Sequence, residues 1–253
     1  MTDELSTEEP LEVRVGGEAV TVTMRTPGAD FDLVAGFLVT EGIIGSAAEI
    51  AAMKRCAHAT DSAGEFNVVD VRLRAPRDPD VVPRRFYTTS SCGLCGRASI
   101  DAVRTRSRFE VAGDPLTVTP ALLAGLPETL RREQRAFART GGLHAAALFD
   151  SEGRAQCVRE DVGRHNAFDK VIGWAATQQR LPLTGCILLA SGRASFELVQ
   201  KALMAGVPMI CAVSAPSSLA VELAADAGMT LVGFLRGERM NVYTGHQRVI
   251  ASA

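Results

Sequence analysis

The sequence lacks the long apolar run that a membrane-spanning helix requires. Its most apolar stretch, residues 202–221, is interrupted by Pro208 and Pro216, which break it into shorter elements. The first ten residues are acidic and polar, without the basic flank and apolar segment of a secretory signal. We therefore expect a cytoplasmic protein that has no membrane partner.

The sequence also lacks the standard motifs of several enzyme classes. It has no GxxxxGK[ST] loop and no GxGxxG after a strand, so it supports neither a P-loop nucleotidase nor a Rossmann dehydrogenase. No His-x-Glu precedes a Pro-Cys-x-x-Cys, as a zinc deaminase requires, and no second CxxC completes a four-cysteine zinc site. A net charge of -2 gives no overall attraction to nucleic acid, so we expect no such partner.

Two patterns of apolar and polar residues distinguish the two parts of the chain. Alternating apolar and polar residues around Gly16-Gly17 predict a β-hairpin, and Asp30 is a candidate N-cap for the next helix. Beyond residue 185, short apolar strands alternate with amphipathic helices, which is typical of parallel strands covered on both faces. We expect an α/β protein with a smaller N-terminal α+β portion over residues 1–83, containing antiparallel strands and two helices. The core over residues 84–253 should hold a mixed sheet that ends in a βαβαβ unit.

The middle of the chain predicts a helix that is broken once. Thr119-Pro120 is a typical helix start, Pro127 should interrupt the helix, and helical spacing resumes until Thr140. A hairpin over residues 143–158 follows.

Cys92 and Cys95 lie in the glycine-rich loop Ser91-Cys92-Gly93-Leu94-Cys95-Gly96, between a predicted strand and a predicted helix over residues 97–106. A helix N-terminus favours thiolate, so the loop suits an exposed nucleophile, a disulfide or a transferable sulfur. Half of a structural zinc site is the alternative interpretation. The other cysteines in apolar runs are expected in the core as free thiols: Cys157, Cys186 and Cys211.

Three predicted parallel strands each end in a polar loop. Because parallel strands bring their carboxyl ends to one edge of the sheet, these loops should form a crevice there. Helix N-termini and arginines favour an anionic, nucleotide-like ligand; alternatively, the serines are N-caps and the arginines a solvated rim. The candidate residues are Ser191, Gly192, Arg193, Ser195, Ser214, Arg236 and Arg239.

Residues 159–166 hold many ionisable side chains where a strand leads into a helix. Glu160 or Asp161 could cap that helix and pair with Arg164. His144 could likewise have a purely structural role, as a histidine in the core. Alternatively, His144 and His165 line the crevice and move protons or contact the ligand.

A series of ordered motifs resembles the FdhD/NarQ family of formate dehydrogenase accessory sulfurtransferases. The likeness covers nearly the whole chain. It is carried by residues 91–96 (SCGLCG), 141–146 (GGLHAA), 160–170 (EDVGRHNAFDK), 191–197 (SGRASFE), 214–216 (SAP) and 234–239 (FLRGER).

The resemblance implies a sulfur carrier, an enzyme that works through a cysteine persulfide. Such a protein accepts sulfur from a cysteine desulfurase on Cys92 and Cys95. It delivers the sulfur to the molybdenum or tungsten bis-molybdopterin guanine dinucleotide cofactor of formate dehydrogenase. The resemblance further implies a three-layer core similar to cytidine deaminase and a homodimer. A structural zinc protein or a dithiol redox protein using the same CxxC remains the alternative function.

The resemblance also places the guanine nucleotide, for which GDP is a partial mimic, at the sheet edge. The segment that matches best is 234–239: Phe234, Leu235, Arg236, Gly237, Glu238 and Arg239.

Overall fold

The computed structural model describes residues 4–56, 67–75, 86–87 and 107–250, with backbone alone at 86–87. The described residues form two mixed β-sheets, six α-helices and two single 3₁₀ turns. The predicted cysteine loop, the linker over residues 77–83 and the predicted helix over residues 97–106 lie outside these ranges.

The first sheet has five strands in the order β3-β4-β1-β2-β5. As predicted, β1 and β2 form an antiparallel hairpin around Gly16-Gly17, and both glycines have positive φ angles. Pairing of β1 with β4, and of β2 with β5, is parallel. The strand bounds are Glu9–Val15 (β1), Glu18–Arg25 (β2), Ile50–Cys56 (β3), Val68–Leu73 (β4) and Phe86–Tyr87 (β5).

Helix α1 spans Asp30–Thr40, and the prediction that Asp30 caps it is wrong. The N-cap is Ala29, with φ of 53°, and no side chain caps the helix. Asp30 is the first helical residue, and its buried carboxylate accepts a hydrogen bond of 3.0 Å from Arg25 Nε. The aspartate therefore joins α1 to β2 instead of capping the helix.

The helix after Thr119 breaks seven residues later than predicted. Helix α2 spans Pro120–Glu133 with Pro127 inside it, and helix α3 spans Arg135–Thr140. The break falls at Gln134 because the carboxylate of Glu160 accepts the N–H groups of Ala136 and Phe137, at 2.9 and 2.7 Å. A distant strand residue thus starts α3, and local sequence carries no sign of it.

The second sheet has six strands in the order β11-β10-β9-β8-β6-β7. Strands β8, β9 and β10 are parallel, so the predicted βαβαβ unit is confirmed. Strands β7, β6 and β8 are successively antiparallel, which makes the sheet mixed. The strand bounds are His144–Phe149 (β6), Ala155–Asp161 (β7), Ile187–Ala190 (β8), Met209–Ala212 (β9), Thr230–Arg236 (β10) and Arg239–Thr244 (β11).

Helices cover both faces of the second sheet. Helix α2 packs on one face, where Leu123 and Leu126 join Ile187, Leu189 and Cys211 in one apolar cluster. The opposite face belongs to a larger cluster with three helices, since neighbouring residues of a strand point to opposite faces. Those helices are α4 (Arg164–Thr177), α5 (Phe196–Met204) and α6 (Ser218–Asp226).

Helices α1 and α4 are packed backbone to backbone. A methyl group at Gly36 would overlap the carbonyl of Asp169, and one at Gly173 would overlap the carbonyl of Asp32. The larger apolar cluster accordingly includes Leu11 and Leu33 together with residues of α4 and β8. This core connects the two sheets; the domain boundary at residue 83 stays a prediction.

The fold is therefore mixed α/β, as the sequence predicts. Cys157, Cys186 and Cys211 are buried, which confirms their placement in the core. None of the helices in the described ranges has the length and apolarity of a membrane span.

Candidate functional site

The loops after β8, β9 and β10 meet at one edge of the second sheet, as parallel pairing predicts. The Ser214 N–H donates to the Gly192 carbonyl at 3.1 Å, and the Phe234 N–H donates to the Ser214 carbonyl at 3.1 Å. Each loop thus holds the next by a backbone hydrogen bond. We call this region the sheet-edge crevice.

The first loop is fixed by Ser191. Its hydroxyl accepts the Ala145 N–H at 2.8 Å, and its own N–H donates to the Ala145 carbonyl at 3.0 Å. A methyl group at Gly192 would lie 3.5 Å from Nδ1 of His144, so this glycine sits directly beside the histidine. Ser191, Gly192 and His144 are therefore brought together as neighbours of the crevice.

The two serines that precede helices behave differently. Ser217 caps α6, because its hydroxyl accepts the Ala220 N–H at 3.3 Å. Ser195 stands at the N-cap position of α5, yet its hydroxyl makes no capping bond and is buried without a hydrogen-bond partner. The interpretation of these serines as plain caps holds for Ser217 and fails for Ser195.

The segment 234–239 forms the far side of the crevice. Phe234 is 40% exposed and has φ of 52°, a conformation that costs a non-glycine residue about 1–3 kcal/mol. Arg236 donates from Nε to the Val213 carbonyl at 3.0 Å, and it pairs with Arg239 across the β10–β11 hairpin. Both arginines, Gly237 and Glu238 are exposed, whereas the Leu235 side chain is buried in the core beneath them.

Cations gather around His144. Burial lowers the pKa of His144 from its ordinary value, and the positive charges of Arg164, His165 and Arg193 lower this pKa further. The charge of His165 is thus one of the influences on the pKa of His144, and the placement of both histidines in the crevice stays a prediction. We call His144, Arg164, His165, Arg193 and Ser195 the open cluster.

Three buried polar atoms of the open cluster have no hydrogen-bond partner among the described residues. They are Nε of Arg164, Nε2 of His165 and Oγ of Ser195. A buried polar atom without a partner costs about 1–3 kcal/mol, and native proteins satisfy most such atoms. Within the described ranges, Nε of Arg164 is thus a donor that an anion would satisfy, whereas His165 and Ser195 also lie beside the Glu197 carboxylate.

Glu197 supplies the negative charge beside this cluster. His165 Nε2 lies 3.9 Å from Glu197 Oε2, which is an ion-pair distance and too long for a hydrogen bond. The His165 imidazole is nevertheless the main reason that the pKa of Glu197 falls to about 2. Glu197 lies in the motif over residues 191–197 and in the first turn of α5, but the sequence gives no sign that it lies near His165.

Asp161 and Lys170 form a second cluster with the opposite character. Lys170 Nζ lies 2.7 Å from Asp161 Oδ2, and both side chains are buried. The other oxygen of Asp161 accepts from the Gly163 N–H at 2.8 Å and from Asn166 Nδ2 at 3.1 Å. Lys170 also donates to the Thr26 carbonyl at 2.8 Å. We call Thr26, Asp161, Asn166 and Lys170 the closed network.

The prediction that Glu160 or Asp161 caps α4 is wrong, because the N-cap is Gly163 and no side chain caps the helix. Asp161 binds the start of α4 through Gly163, but Glu160 caps α3 instead. Arg164 pairs with neither in the described contacts, since its Nε stays unpartnered.

Cys92 and Cys95, the predicted reactive pair, lie outside the described residues. Among the described cysteines, burial raises the pKa of Cys157 to about 11 and also raises the pKa of Cys186 and Cys211. These three thiols are therefore poor nucleophiles. Within the described ranges, no group of three or more metal-ligating side chains occurs.

Comparison with known proteins assigns the chain to a family. The model of the FdhD/NarQ family matches residues 6–250. A protein named sulfur carrier protein FdhD from Mycolicibacterium paratuberculosis is 60% identical over 97% of this chain and 91% of its own length. A protein of the same name from Streptomyces coelicolor is 59% identical over 99% of this chain and 90% of its own length.

A solved structure has the same fold. It is described as that of a formate dehydrogenase accessory protein from Desulfotalea psychrophila, with a TM-score of 0.76 and 24% identity. The alignment covers 99% of this chain and 92% of that chain. With the family model matching almost from end to end, the chain belongs to the FdhD/NarQ family.

Proposed function

We propose that the protein is a sulfur carrier required for formate dehydrogenase activity. The observation that carries this proposal is the match to relatives about 60% identical over nearly the full chain, which are named sulfur carrier proteins. The sequence adds the thiol pair Cys92 and Cys95 that a sulfur carrier requires. Formate dehydrogenase is accordingly the client.

Sulfur loading requires one thiolate on this chain. The Cys92 thiolate attacks the outer sulfur of a persulfide on a cysteine desulfurase. The sulfur–sulfur bond of the donor breaks, its cysteine leaves as a thiolate, and Cys92 now bears the persulfide. No net oxidation or reduction accompanies this transfer.

Sulfur delivery uses the second thiol. The Cys95 thiolate attacks the inner sulfur of the Cys92 persulfide and expels hydrosulfide, which passes to the metal cofactor as the sulfur-accepting substrate. The remaining Cys92–Cys95 disulfide is reopened by a cellular dithiol reductant. This sequence gives Cys95 the role of resolving the persulfide.

The sheet-edge crevice is the proposed docking place of that cofactor, a molybdenum or tungsten bis-molybdopterin guanine dinucleotide. Its phosphates require donors, and the open cluster supplies buried donors without partners together with the exposed Arg193, Arg236 and Arg239. A cytidine deaminase-like arrangement of the core, a homodimer and a cytoplasmic location belong to the same proposal. A protein that sediments as a monomer at micromolar concentration would contradict the homodimer.

Intact mass spectrometry tests the sulfur step directly. After incubation with a desulfurase and cysteine, the wild-type protein should gain the mass of one sulfur atom, and Cys92→Ala should gain none. Cys56→Ala is the matched control, since Cys56 is a partly exposed thiol elsewhere in the fold. Normal loading and full formate dehydrogenase activation by Cys92→Ala would contradict the proposal. Stoichiometric zinc, with no sulfur gained by the wild type, would favour the structural zinc alternative.

A further inference from the structure

Two helices begin beside each other at the open cluster. Helix α4 begins with Arg164 and His165, and Glu197 lies in the first turn of α5. Nε2 of His165 lies 3.9 Å from Oε2 of Glu197, so the first turns of the two helices approach each other. No side chain caps either helix. Two helix N-termini, each with a partial positive charge, therefore lie side by side.

The side chains at these N-termini add further positive charge. A helix N-terminus favours anions, yet α4 starts with a cation, Arg164, and with His165, which becomes a cation when protonated. The first turn of α4 contains no acid. Arg193 acts on the same region, since its charge helps to lower the pKa of His144. Positive charge thus accumulates where a helix ordinarily carries an acid.

The carboxylate of Glu197 is the negative charge that balances this region. Asp161 is also near, but Lys170 Nζ lies 2.7 Å from its carboxylate and balances that charge. The His165 imidazole is the main cause that lowers the pKa of Glu197 to about 2, and the Ser195 hydroxyl and the N–H of Glu197 itself lower it further. The Glu197 carboxylate is therefore ionised at neutral pH and lies beside the donors that a phosphate would use.

We propose that Glu197 is an internal anion, which holds the donors of the open cluster when no ligand is bound and is displaced by the phosphate of an incoming ligand. Carboxylate and phosphate compete because both accept charged hydrogen bonds and both are favoured at helix N-termini. The competition weakens the binding of the ligand, which suits a carrier that must pass its ligand to a client. The inference rests on the proposed docking of the cofactor's phosphates at the sheet-edge crevice.

Calorimetric titration of inorganic pyrophosphate into Glu197→Gln tests the competition, because glutamine keeps the side-chain volume and removes the charge. The variant should bind pyrophosphate about tenfold to a hundredfold more tightly than the wild type, since the ligand no longer displaces a charged group. This difference should shrink as the salt concentration rises. The matched control is Glu152→Gln, which removes an exposed acid from the β6–β7 turn, at the end of the sheet opposite the crevice, and should leave the affinity unchanged.

Glu197→Asp separates the charge of the side chain from its length. This variant keeps the negative charge and should bind pyrophosphate nearly as weakly as the wild type. Equal tightening by Glu197→Asp and Glu197→Gln would mean that the charge is not the cause, and it would overturn the inference. Weaker binding by Glu197→Gln would overturn it too, because Glu197 would then position His165 for the ligand instead of competing with it.

Thermal unfolding gives a second measurement that does not depend on calorimetry. Without ligand, Glu197→Gln should have a lower Tm than the wild type, because Arg164 and Arg193 lose the negative charge beside them. Pyrophosphate at one fixed concentration should raise the Tm of the variant more than that of the wild type. Equal increases would contradict the competition.

The proposed function and this inference can fail separately. If pyrophosphate binds neither the wild type nor Glu197→Gln, the inference is overturned together with phosphate docking at the crevice. Sulfur loading on Cys92, measured by intact mass, tests the carrier function independently of either result.

Discussion

The closed network and the open cluster are two polar regions that share one stretch of sequence, since residues 159–166 contribute side chains to both. Asp161 and Arg164 are three positions apart. Yet both oxygens of Asp161 are hydrogen-bonded and Nε of Arg164 has no partner in the described contacts. Charges that are fully paired hold the fold together, whereas buried donors left unpaired are available to a ligand. The comparison thus distinguishes a charged side chain that stabilises the fold, Asp161, from one that is available to a ligand, Arg164.

Breaking the closed network should produce the largest loss of stability. Lys170→Met leaves the buried Asp161 carboxylate without its cation, and removing one partner of a buried ion pair costs about 3–5 kcal/mol. Urea unfolding followed by circular dichroism measures the change. A loss below about 1 kcal/mol would mean that the network contributes no more than a surface pair.

The close contact between α1 and α4 should be the next most sensitive. Gly173→Ala drives a methyl group into the Asp32 carbonyl, and such overpacking costs about 1–3 kcal/mol. Gly125→Ala is the matched control in α2, where the added methyl meets no atom within 4 Å. The control should gain about 0.5–1 kcal/mol from helix propensity, measured by the same urea unfolding. Equal effects of the two changes would refute close helix packing as the cause.

A variant of the open cluster should leave the free energy of unfolding nearly unchanged. It should instead change the pKa of His144 and the affinity for GDP. Arg193→Ala should change the free energy of unfolding by less than about 0.5 kcal/mol, because this arginine is exposed. It should raise the pKa of His144, since Arg193 is one of the cations that lower it. GDP affinity should fall about tenfold, through the loss of one charged hydrogen bond. NMR titration of the histidines and calorimetry measure the two effects.

The lowered pKa of His144 determines the direction in which folding stability changes with pH. Because the folded protein lowers the pKa of His144 from 6.5, protonation of His144 disfavours the folded state as the pH falls below 6.5. Arg193→Ala should reduce this loss, and Arg132→Ala, an exposed control on α2, should not. An unchanged pKa of His144 in Arg193→Ala would mean that the charge of Arg193 does not act on His144.

The sequence by itself determined the elements whose signals are local. The Gly16-Gly17 hairpin, the βαβαβ order and the buried cysteines followed from periodicity and turn chemistry, and the parallel strands placed the loops beginning at Ser191, Ser214 and Arg236 at one edge. The motifs determined the family. These features depend on neighbours within a few residues or on a general rule of sheet geometry.

Only the tertiary structure decided which polar groups are satisfied. The sequence predicts Asp30 as a helix cap, but in the structure its carboxylate accepts a hydrogen bond from Arg25. The sequence predicts a helix break at Pro127, but the break lies at Gln134 because Glu160 binds the first N–H groups of α3. Nothing adjacent to Gln134 in the sequence marks it as the place where the helix breaks. A hydrogen-bond partner that is distant in the chain becomes near only on folding, so the distinction between cap, ion pair and free donor is a property of the packed molecule.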